Sequence, residues 1–373
     1  MKLLCFDSFS PELRELWGAL EPCSQNYVFQ SFGWVSVWQE MVGAPTMSIR
    51  PWIAVVVDAH DSPRLIFPFG VRRRLGARVL EFLGGAQGDY LGPLLHDLWS
   101  DRSDLLRLAW KLVEAKLPAH DVRHFCKLPA LEGAGENPWL QVWKCAWEDS
   151  SHALRLPAST DELQARLRTK LKSDNKRQRR RLGEKGHLAF EVVVKGEKWQ
   201  EGVGTMIAQK RQRYQSTGVP DALATPAVRE FYRNLGPVFL HGGQIHLSLL
   251  RLDEKILATH WGAVYRDRFY FLMPTYCSGP LGTFSPGRLL LENLLEWAIA
   301  NRLSVFDFTI GGEEYKKDWC DHETSVFQHL RLITPLGLTC FAYLYLRYRA
   351  RRNRRCWAAV RTVYSWIPQR WRR

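Results

Sequence analysis

The sequence predicts a mixed α/β fold arranged in two domains, and three observations support this prediction. The chain has 373 residues, about twice the usual length of one domain. It is 46% apolar and 12% aromatic, which is enough material for two buried cores. In both halves, β-rich runs alternate with segments of helical spacing. Because short turns join several of these runs, we expect α+β domains with mixed, mainly antiparallel sheets.

The first half predicts one α/β domain over residues 1–155. "SFGWVSVWQEMVG" has the spacing of a buried helix that ends at Gly43. "WIAVVV" and "RLIFPFGVRR" flank the polar segment "DAHDSP" and therefore predict a hairpin. "RVLEFLGG", "VRHFCKL" and "HALRLP" predict further strands, and Ser103 is the expected N-cap of a helix over "SDLLRLAWKLVEAKL".

The second domain is predicted over residues 156–335. It opens with a capped helical run in which Leu163, Leu167 and Leu171 are spaced four residues apart. Three strand-like runs follow two further helices: "QIHLSLLRL", "KILATHWGAVY" and "RFYFLMPTY". After them come a helix over 286–301, a strand over 305–309 and a polar turn. Antiparallel strands followed by a β-α-β step predict a mixed sheet rather than a parallel one.

The net charge of +14 is concentrated in a basic aromatic tail, residues 336–373. This tail has ten arginines and no acidic residue, so the rest of the chain carries only about +4. Its apolar run is too short to span a bilayer, whereas Arg with Trp and Tyr suits an anionic membrane surface. We expect membrane-surface attachment, with RNA binding as the second interpretation.

A second basic run lies over residues 166–185, with ten Lys and Arg against Asp174 and Glu184. Such a face could bind tRNA or another phosphate-rich polymer. A charged run on a helix is more often a solvated surface, and that is the favoured interpretation.

The cysteines and the N-terminus favour a cytoplasmic protein, peripheral on the inner face of the membrane through its tail. The eight cysteines include no CxxC pair and no zinc-ligand spacing, as in reduced, isolated thiols. No signal-like or 18-residue apolar segment is present.

The stretch "FSPGRLLLENLLEWAIANRLSVFDFTIGGEEYKKDW", residues 284–319, resembles the GNAT acyltransferase superfamily. Its sequence is similar to that of the CelD-like branch, which is associated with exopolysaccharide and cellulose biosynthesis and related to Fem-type peptidyltransferases. "FQSFGWVSVWQE", "LEFLGGAQGDYLGPLL" and "LKSDNKRQRRRL" resemble other parts of the same family. The resemblance implies two tandem GNAT-like domains, with the acyl-donor site complete in the second. It also implies acetyl-CoA or another acyl-CoA as donor, and no metal.

The turn formed by Ser285, Pro286, Gly287 and Arg288 is the candidate seat for the donor's phosphates. No acid lies in the first turn of the predicted helix, so nothing local neutralises its positive end, and Arg288 adds a cation. Ser-Pro-Gly also begins a helix well without any ligand. The superfamily's usual loop, Gln/Arg-x-x-Gly-x-Gly/Ala, is not present in full, so the resemblance leaves the donor's identity open.

The resemblance implies that the strand "RFYFLMPTY" presents a backbone N–H to the thioester carbonyl near residues 272–275. This places Met273 and Pro274 beside the donor and Tyr276 beside the acceptor. An ordinary hairpin strand would have the same sequence.

Asp307 and His260 are the candidate general bases. Asp307 lies between Phe306 and Phe308, so it faces away from the apolar side of its strand. An acid that caps the next loop is an equally good interpretation. His260, between Thr259 and Trp261, is interpreted first as an interior hydrogen-bonded histidine and second as a base.

The remaining candidates are predicted to bind the acceptor. Glu314, Tyr315 and Lys316 lie in the polar turn after the last strand, where a surface turn of mixed charge is the simpler interpretation. Asp89 and Tyr90 lie in a glycine-rich loop that, by family analogy, faces a cleft between the domains.

These observations predict an acyl-CoA-dependent N- or O-acyltransferase that acts on a sugar or cell-envelope precursor. The acceptor amine or hydroxyl would attack directly in a ternary complex, with Asp307 or a water chain taking its proton. Two alternatives remain open: a Fem-type transferase that uses aminoacyl-tRNA, and a non-catalytic scaffold of a polysaccharide synthase.

Overall fold

The computed structural model describes residues 1–130, 136–236, 240 and 242–351. The chain divides into two compact units. Unit 1 comprises Met1–Asp149 with the described residues from Thr324 onward, and unit 2 is Ser150–Glu323. The boundaries predicted at 155 and 335 differ from this division, because residues 324–335 group with unit 1. The mixed α/β class with mainly antiparallel sheets is confirmed.

Unit 1 is built on an antiparallel meander followed by a crossover helix. Its strands are β1 (Lys2–Phe6), β2 (Arg50–Val57), β3 (Pro63–Arg74), β4 (Ala77–Phe82), β5 (Leu94–Leu95), β6 (Val122–Pro129) and β13 (His322–Leu332). Its helices are α1 (Pro11–Leu20), α2 (Phe32–Trp38), α3 (Ala44–Met47), α4 (Ser103–Glu114), α5 (Trp139–Val142) and α11 (Leu338–Arg351). The predicted hairpin is β2 with β3. After α4 the chain returns as β6, parallel to β4, and β13 pairs antiparallel with β6.

Unit 2 repeats this order. Its strands are β7 (Ala146–Arg155), β8 (Leu188–Val193), β9 (Gly243–Leu252), β10 (Lys255–Tyr265), β11 (Arg268–Tyr276) and β12 (Val305–Ile310). Its helices are α6 (Thr160–Arg166), α7 (Thr169–Gly183), α8 (Glu197–Thr217), α9 (Pro226–Asn234) and α10 (Pro286–Ala300). Strands β8 to β11 are antiparallel, β12 lies parallel to β11, and β7 pairs antiparallel with β12.

Two predictions about helix starts and continuity were wrong. Ser103 is inside α4 rather than at its cap, because Arg102 occupies the cap position without a side-chain hydrogen bond. The run carrying Leu163, Leu167 and Leu171 is two helices, because Leu167 is extended (ψ 145°) and separates α6 from α7. All three leucines are nevertheless buried, so apolar spacing identified the core positions but not the break.

The core of each unit lies against its sheet. In unit 1, aromatic side chains of β3, β4, β6, α4 and α5 form one cluster. In unit 2, α10 packs its leucines against the phenylalanines of β11 and β12, and α8 covers the other face of the sheet. Helix α10 is thereby fixed with its first turn beside the end of β11, since Gly287 lies against the ring of Tyr276.

The C-terminal prediction falls only partly within the described residues. Helix α11 buries Cys340 and Leu344 against Ala77, Val79 and Val122 of unit 1. Leu336, Leu338 and Leu346 are exposed. Residues 352–373, which carry most of the tail's arginines, lie outside the described residues. Among the described helices, none combines the length and apolarity needed to cross a membrane.

Candidate functional site

The first turn of α10 is open to an anion. Ser285 has left-handed backbone geometry (φ 55°), and its hydroxyl does not cap the helix. The Ser285 carbonyl accepts the N–H groups of Arg288 and Leu289 at 3.0 and 3.2 Å. Pro286 has no N–H, and the first turn contains no acid. The positive end of the helix dipole is therefore not neutralised within the turn.

Two cations lie over the ring of Phe284, directly before this turn, and a third, Arg288, belongs to the turn. The Arg181 guanidinium carbon is 4.7 Å from the centroid of the Phe284 ring, and the Lys185 ammonium is 5.6 Å from it. Both residues belong to the basic run of α7 and the residues that follow it. The Nε of Arg288 is buried and has no hydrogen-bond partner among the described residues. An anionic group bound at the turn would supply a negatively charged partner for these cations.

Gly287 has a packing role as well as an open backbone. A Cβ added there would lie 2.9 Å from Cδ1 of Tyr276, closer than real Cβ atoms normally approach another atom. The glycine thus allows α10 to begin directly against the last residue of β11. The sequence prediction explained Gly287 only by its access to phosphate.

Beside this turn, β11 and β12 separate. Their parallel pairing covers only three registered residue pairs and ends at Tyr270 and Asp307. The following part of β11 includes the 272–275 stretch predicted to contact the thioester. Leu272 donates its N–H to Nε2 of His260 at 3.2 Å, and Pro274 has no N–H. Met273 and Thr275 are registered with Trp261 and Thr259 of β10, on the antiparallel side of the strand.

His260 is an interior residue. It is fully buried, its ring stacks on Phe271 with centroids 4.7 Å apart, and Nε2 accepts from Leu272. Burial holds the pKa of His260 well below its usual value, and the nearby His246 and Lys210 lower it further. The ring is therefore neutral at pH 7, with its proton on Nδ1. This geometry matches the interior interpretation rather than the catalytic one.

Asp307 is buried, and both of its carboxylate oxygens have polar partners. Its Oδ2 lies 2.8 Å from Nη1 of Arg268, and its Oδ1 accepts the N–H of Thr309 at 2.7 Å. Only 1% of its side chain is exposed. Both carboxylate oxygens are therefore already engaged, one by Arg268 and the other by the Thr309 backbone.

Lys316 closes the end of β12. Its ammonium donates to the carbonyls of Thr309, Ile310 and Gly311 at 3.0–3.2 Å and pairs with Glu313 at 2.9 Å. Because the residue is buried and satisfied, these contacts stabilise the loop that follows Asp307.

The two residues that precede Lys316 face outward. Glu314 is exposed and pairs with Lys317 at 3.2 Å. Tyr315 has its ring 6.3 Å from that of Phe308, and partial burial raises the pKa of its hydroxyl. Tyr315 stays protonated at neutral pH and can donate a hydrogen bond.

Asp89 and Tyr90 belong to unit 1. Asp89 lies 3.7 Å from the ammonium of Lys127, which also donates to the carbonyls of Gly85 and Gly88. The Tyr90 ring is buried, with its centroid 4.3 Å from that of Tyr27. These contacts hold the glycine-rich loop together within unit 1.

Two functional candidates were missed in the sequence. Lys210 and Arg213 lie on α8 near the end of β11: Lys210 Nζ is 3.4 Å from the Pro274 carbonyl, and Arg213 donates to the Tyr276 hydroxyl. Their i, i+3 spacing was visible, but many basic pairs on helices have that spacing.

The equivalent turn of unit 1 is different. Helix α4 occupies the same place in the strand order as α10, yet its first turn contains Asp104. A backbone hydrogen bond from Leu105 lowers the pKa of the Asp104 carboxyl, so it is charged at neutral pH. The positive end of α4 already has an acid, and the open turn is that of unit 2. Among the described residues, no cluster of acidic, His and Cys side chains could hold a metal.

Both units share the order of antiparallel strands, crossover helix and parallel strand. Residues 169–317, from α7 to the turn after β12, match the family model described as an acetyltransferase (GNAT) domain. The match covers most of unit 2 and less than half of the chain. No curated protein matches the sequence.

Solved structures support the same fold over most of the chain. FemX is 12% identical with a TM-score of 0.62, and the alignment covers 91% of this chain and 100% of FemX. L-PGS from Bacillus licheniformis is 11% identical with a TM-score of 0.52, and the alignment covers 89% of this chain and 95% of L-PGS. The C-terminal domain of a putative lysylphosphatidylglycerol synthetase from Agrobacterium fabrum is 13% identical with a TM-score of 0.50, covering 90% and 96%. At these identities the likeness shows the fold alone.

Proposed function

We propose that the protein transfers an acyl group from a CoA thioester to an amine or hydroxyl of a sugar or cell-envelope precursor. The observation that carries this proposal is the open first turn of α10, with no acid of its own and with Arg181, Lys185 and Arg288 around it. It lies beside the separated end of β11, where a thioester could enter. The family match of unit 2 supports acyl-CoA as the donor.

In this mechanism the residues of unit 2 bind and orient the donor. The turn at 285–288 holds the pyrophosphate, and a backbone N–H of β11 near residues 272–275 binds the thioester carbonyl. Donors of this kind, aimed at a developing oxyanion, contribute about 3 kcal/mol to transition-state stabilisation. The acceptor attacks the thioester carbonyl directly, the acyl C–S bond breaks, and CoA leaves as the thiol. The acceptor's proton passes through water to the leaving sulfur, because Asp307 is paired with Arg268 and His260 with Leu272.

Calorimetric titration of acetyl-CoA into the full chain tests the donor turn. Gly287→Ala and Gly287→Glu both place a Cβ against Tyr276, and only the second adds a negative charge. We expect saturable binding in the wild type, retained in the Ala variant and weakened at least about tenfold in the Glu variant, the scale of one charged hydrogen bond. Equal binding by all three proteins would show that the phosphates of CoA do not bind at this turn.

A Fem-type aminoacyl transferase is the second candidate. It is favoured by the fold likeness to FemX and by α7, where Lys170, Lys176 and Arg181 are exposed. Ion pairs of Arg177 with Asp174 and Arg179 with Glu292 offset part of that charge. Filter binding of tRNA at 50 and 200 mM salt separates the two: this candidate requires strong, salt-sensitive binding. Absence of both CoA and tRNA binding would instead favour the scaffold interpretation.

A further inference from the structure

Lys210 and Arg213 form a pair of cations at the C-terminal end of β11. Besides its 3.4 Å contact with the Pro274 carbonyl, Lys210 has its ammonium 5.9 Å from the centroid of the Tyr214 ring. The Arg213 guanidinium lies over the ring of Tyr276, 5.1 Å from its centroid, and donates to its hydroxyl. The two residues are one helical turn apart on α8 and therefore share a face.

Neither cation has an acidic partner within ion-pair distance among the described residues. Neighbouring arginines of α8 and α9 do have such partners: Arg211 pairs with Asp221 at 2.8 Å and Arg233 with Glu230 at 2.6 Å. Burial and then the charge of Arg213 lower the pKa of Lys210, while Glu313 raises it. Because no described carboxylate is in direct contact with either cation, both remain able to bind an external anion.

The pair lies on a different side of β11 from the donor turn. Thr275 points toward α8, where its hydroxyl is 2.7 Å from Oε1 of Gln209. The donor turn approaches β11 through Gly287 and the ring of Tyr276. Tyr276 thus stands between the two places, with its ring toward Gly287 and its hydroxyl toward Arg213. An anion bound by Lys210 and Arg213 would be close to residues 273–275 but separate from the donor's phosphates.

We infer that Lys210, Arg213 and the Tyr276 hydroxyl bind a phosphate or carboxylate group of the acceptor. This inference rests on the proposed function, because it places the acceptor on the α8 side of β11. The substrate class is then a phosphorylated or acidic sugar, whose anionic group is held while a nearby amine or hydroxyl attacks. A neutral sugar would leave both cations uncompensated and bind more weakly.

Thermal unfolding of the full chain in saturating CoA tests this site. Inorganic phosphate and succinate are the probes, with sodium chloride at equal ionic strength as the reference. A ligand that binds only the folded protein raises the unfolding temperature. We expect at least one probe to stabilise the CoA-saturated wild type. The Lys210→Gln, Arg213→Gln double variant should bind that probe at least about tenfold more weakly. Arg233→Gln, which removes a paired cation of α9, should respond as the wild type does.

Three outcomes would overturn the inference: no stabilisation of the wild type by either probe, an unchanged response in the double variant, or a response that CoA abolishes. The last would place the anion in the donor turn. The Gly287→Glu variant allows the same measurement without CoA. Phosphate or succinate should still raise its unfolding temperature, and adding Arg213→Gln should weaken that response. Failure of the proposed function is recognised separately, because CoA alone would then not raise the unfolding temperature of the wild type.

Discussion

At the scale of single residues, the Asp307–Arg268 pair decides between two roles for the carboxylate. Asp307→Asn removes the carboxylate charge that pairs with Arg268, a residue with 15% of its side chain exposed. We expect a loss of about 3 kcal/mol in the free energy of unfolding, the lower end for breaking a buried pair. Urea unfolding measures this, and Arg268→Gln with the double variant gives the coupling energy.

The same variants test catalysis by Asp307. If its role is structural, the folded Asp307→Asn protein keeps its kcat for the proposed acyl transfer within a few-fold of wild type. A kcat loss of a hundredfold or more, the scale of a missing general base, with little change in stability would return Asp307 to the catalytic role.

His246 predicts how stability depends on pH. It is buried, neither ring nitrogen has a hydrogen-bond partner among the described residues, and burial lowers its pKa to about 3. Its unfolded pKa is about 6.5, so between pH 6.5 and 3 the unfolded chain binds the extra proton. Stability is fully present above pH 6.5 and falls below it, by at most about 1.4 kcal/mol per pH unit for this histidine.

Urea unfolding of wild type and His246→Phe between pH 4.5 and 7.5 checks this expectation. The variant should show a shallower fall in stability toward low pH, by about one proton. His187→Gln, at an exposed position, is the control for removing a histidine from unit 2. Parallel pH curves for wild type and His246→Phe would contradict the assignment.

At the scale of elements, two serines near helix starts make a matched pair. The Ser159 hydroxyl accepts the Glu162 N–H at 3.2 Å at the start of α6, whereas Ser103 makes no capping bond in α4. We expect Ser159→Ala to cost about 1 kcal/mol of unfolding free energy and Ser103→Ala to change it by less than about 0.5 kcal/mol. Equal losses in urea unfolding would show that the cap at Ser159 is not the cause.

The strongly patterned elements were predictable because their signals are local. The 285–288 turn and the strands before it follow from residue types a few positions apart. The break at Leu167 was not predictable from spacing, since an extended leucine and a helical one can bury the same side chain. Lys210 was missed for another reason: its position next to Pro274 depends on how α8 packs against β11, and that contact joins residues 64 positions apart.

At the scale of the whole molecule, the basic tail predicts an electrostatic contribution to membrane binding. A deletion that begins after Arg351 leaves the buried Cys340 and Leu344 in place. It lowers the net charge from +14 to +7, because residues 352–373 contain seven arginines and no lysine or acidic residue. Each arginine near an anionic surface contributes about 1 kcal/mol of attraction.

Co-sedimentation with phosphatidylglycerol vesicles measures this contribution. The full chain should bind these vesicles in a salt-sensitive manner, and the shortened chain should bind them much more weakly. Neutral phosphatidylcholine vesicles should retain neither protein. Equal retention of both proteins on the anionic vesicles would contradict the expectation that the tail binds the membrane surface.

The division of the chain into units was the feature least accessible from the sequence. Apolar periodicity shows that 326–332 is a strand but carries no information about its partner, which is β6, about 200 residues earlier. The strand was therefore predicted with the domain next to it in the chain. Strand pairing over such distances depends on tertiary packing, which local patterns do not encode.

This pairing also orders events during synthesis. When the ribosome has made residues 1–145, β6 still lacks the neighbour that β13 later supplies, whereas residues 146–323 contain strands β7 to β12 of unit 2. The later-made unit can thus complete its sheet first, which reverses the usual N-terminal-first order of domain folding. Until translation passes residue 332, the edge of β6 that pairs with β13 stays open in the nascent chain. Unpaired strand edges of this kind promote aggregation and are bound by chaperones.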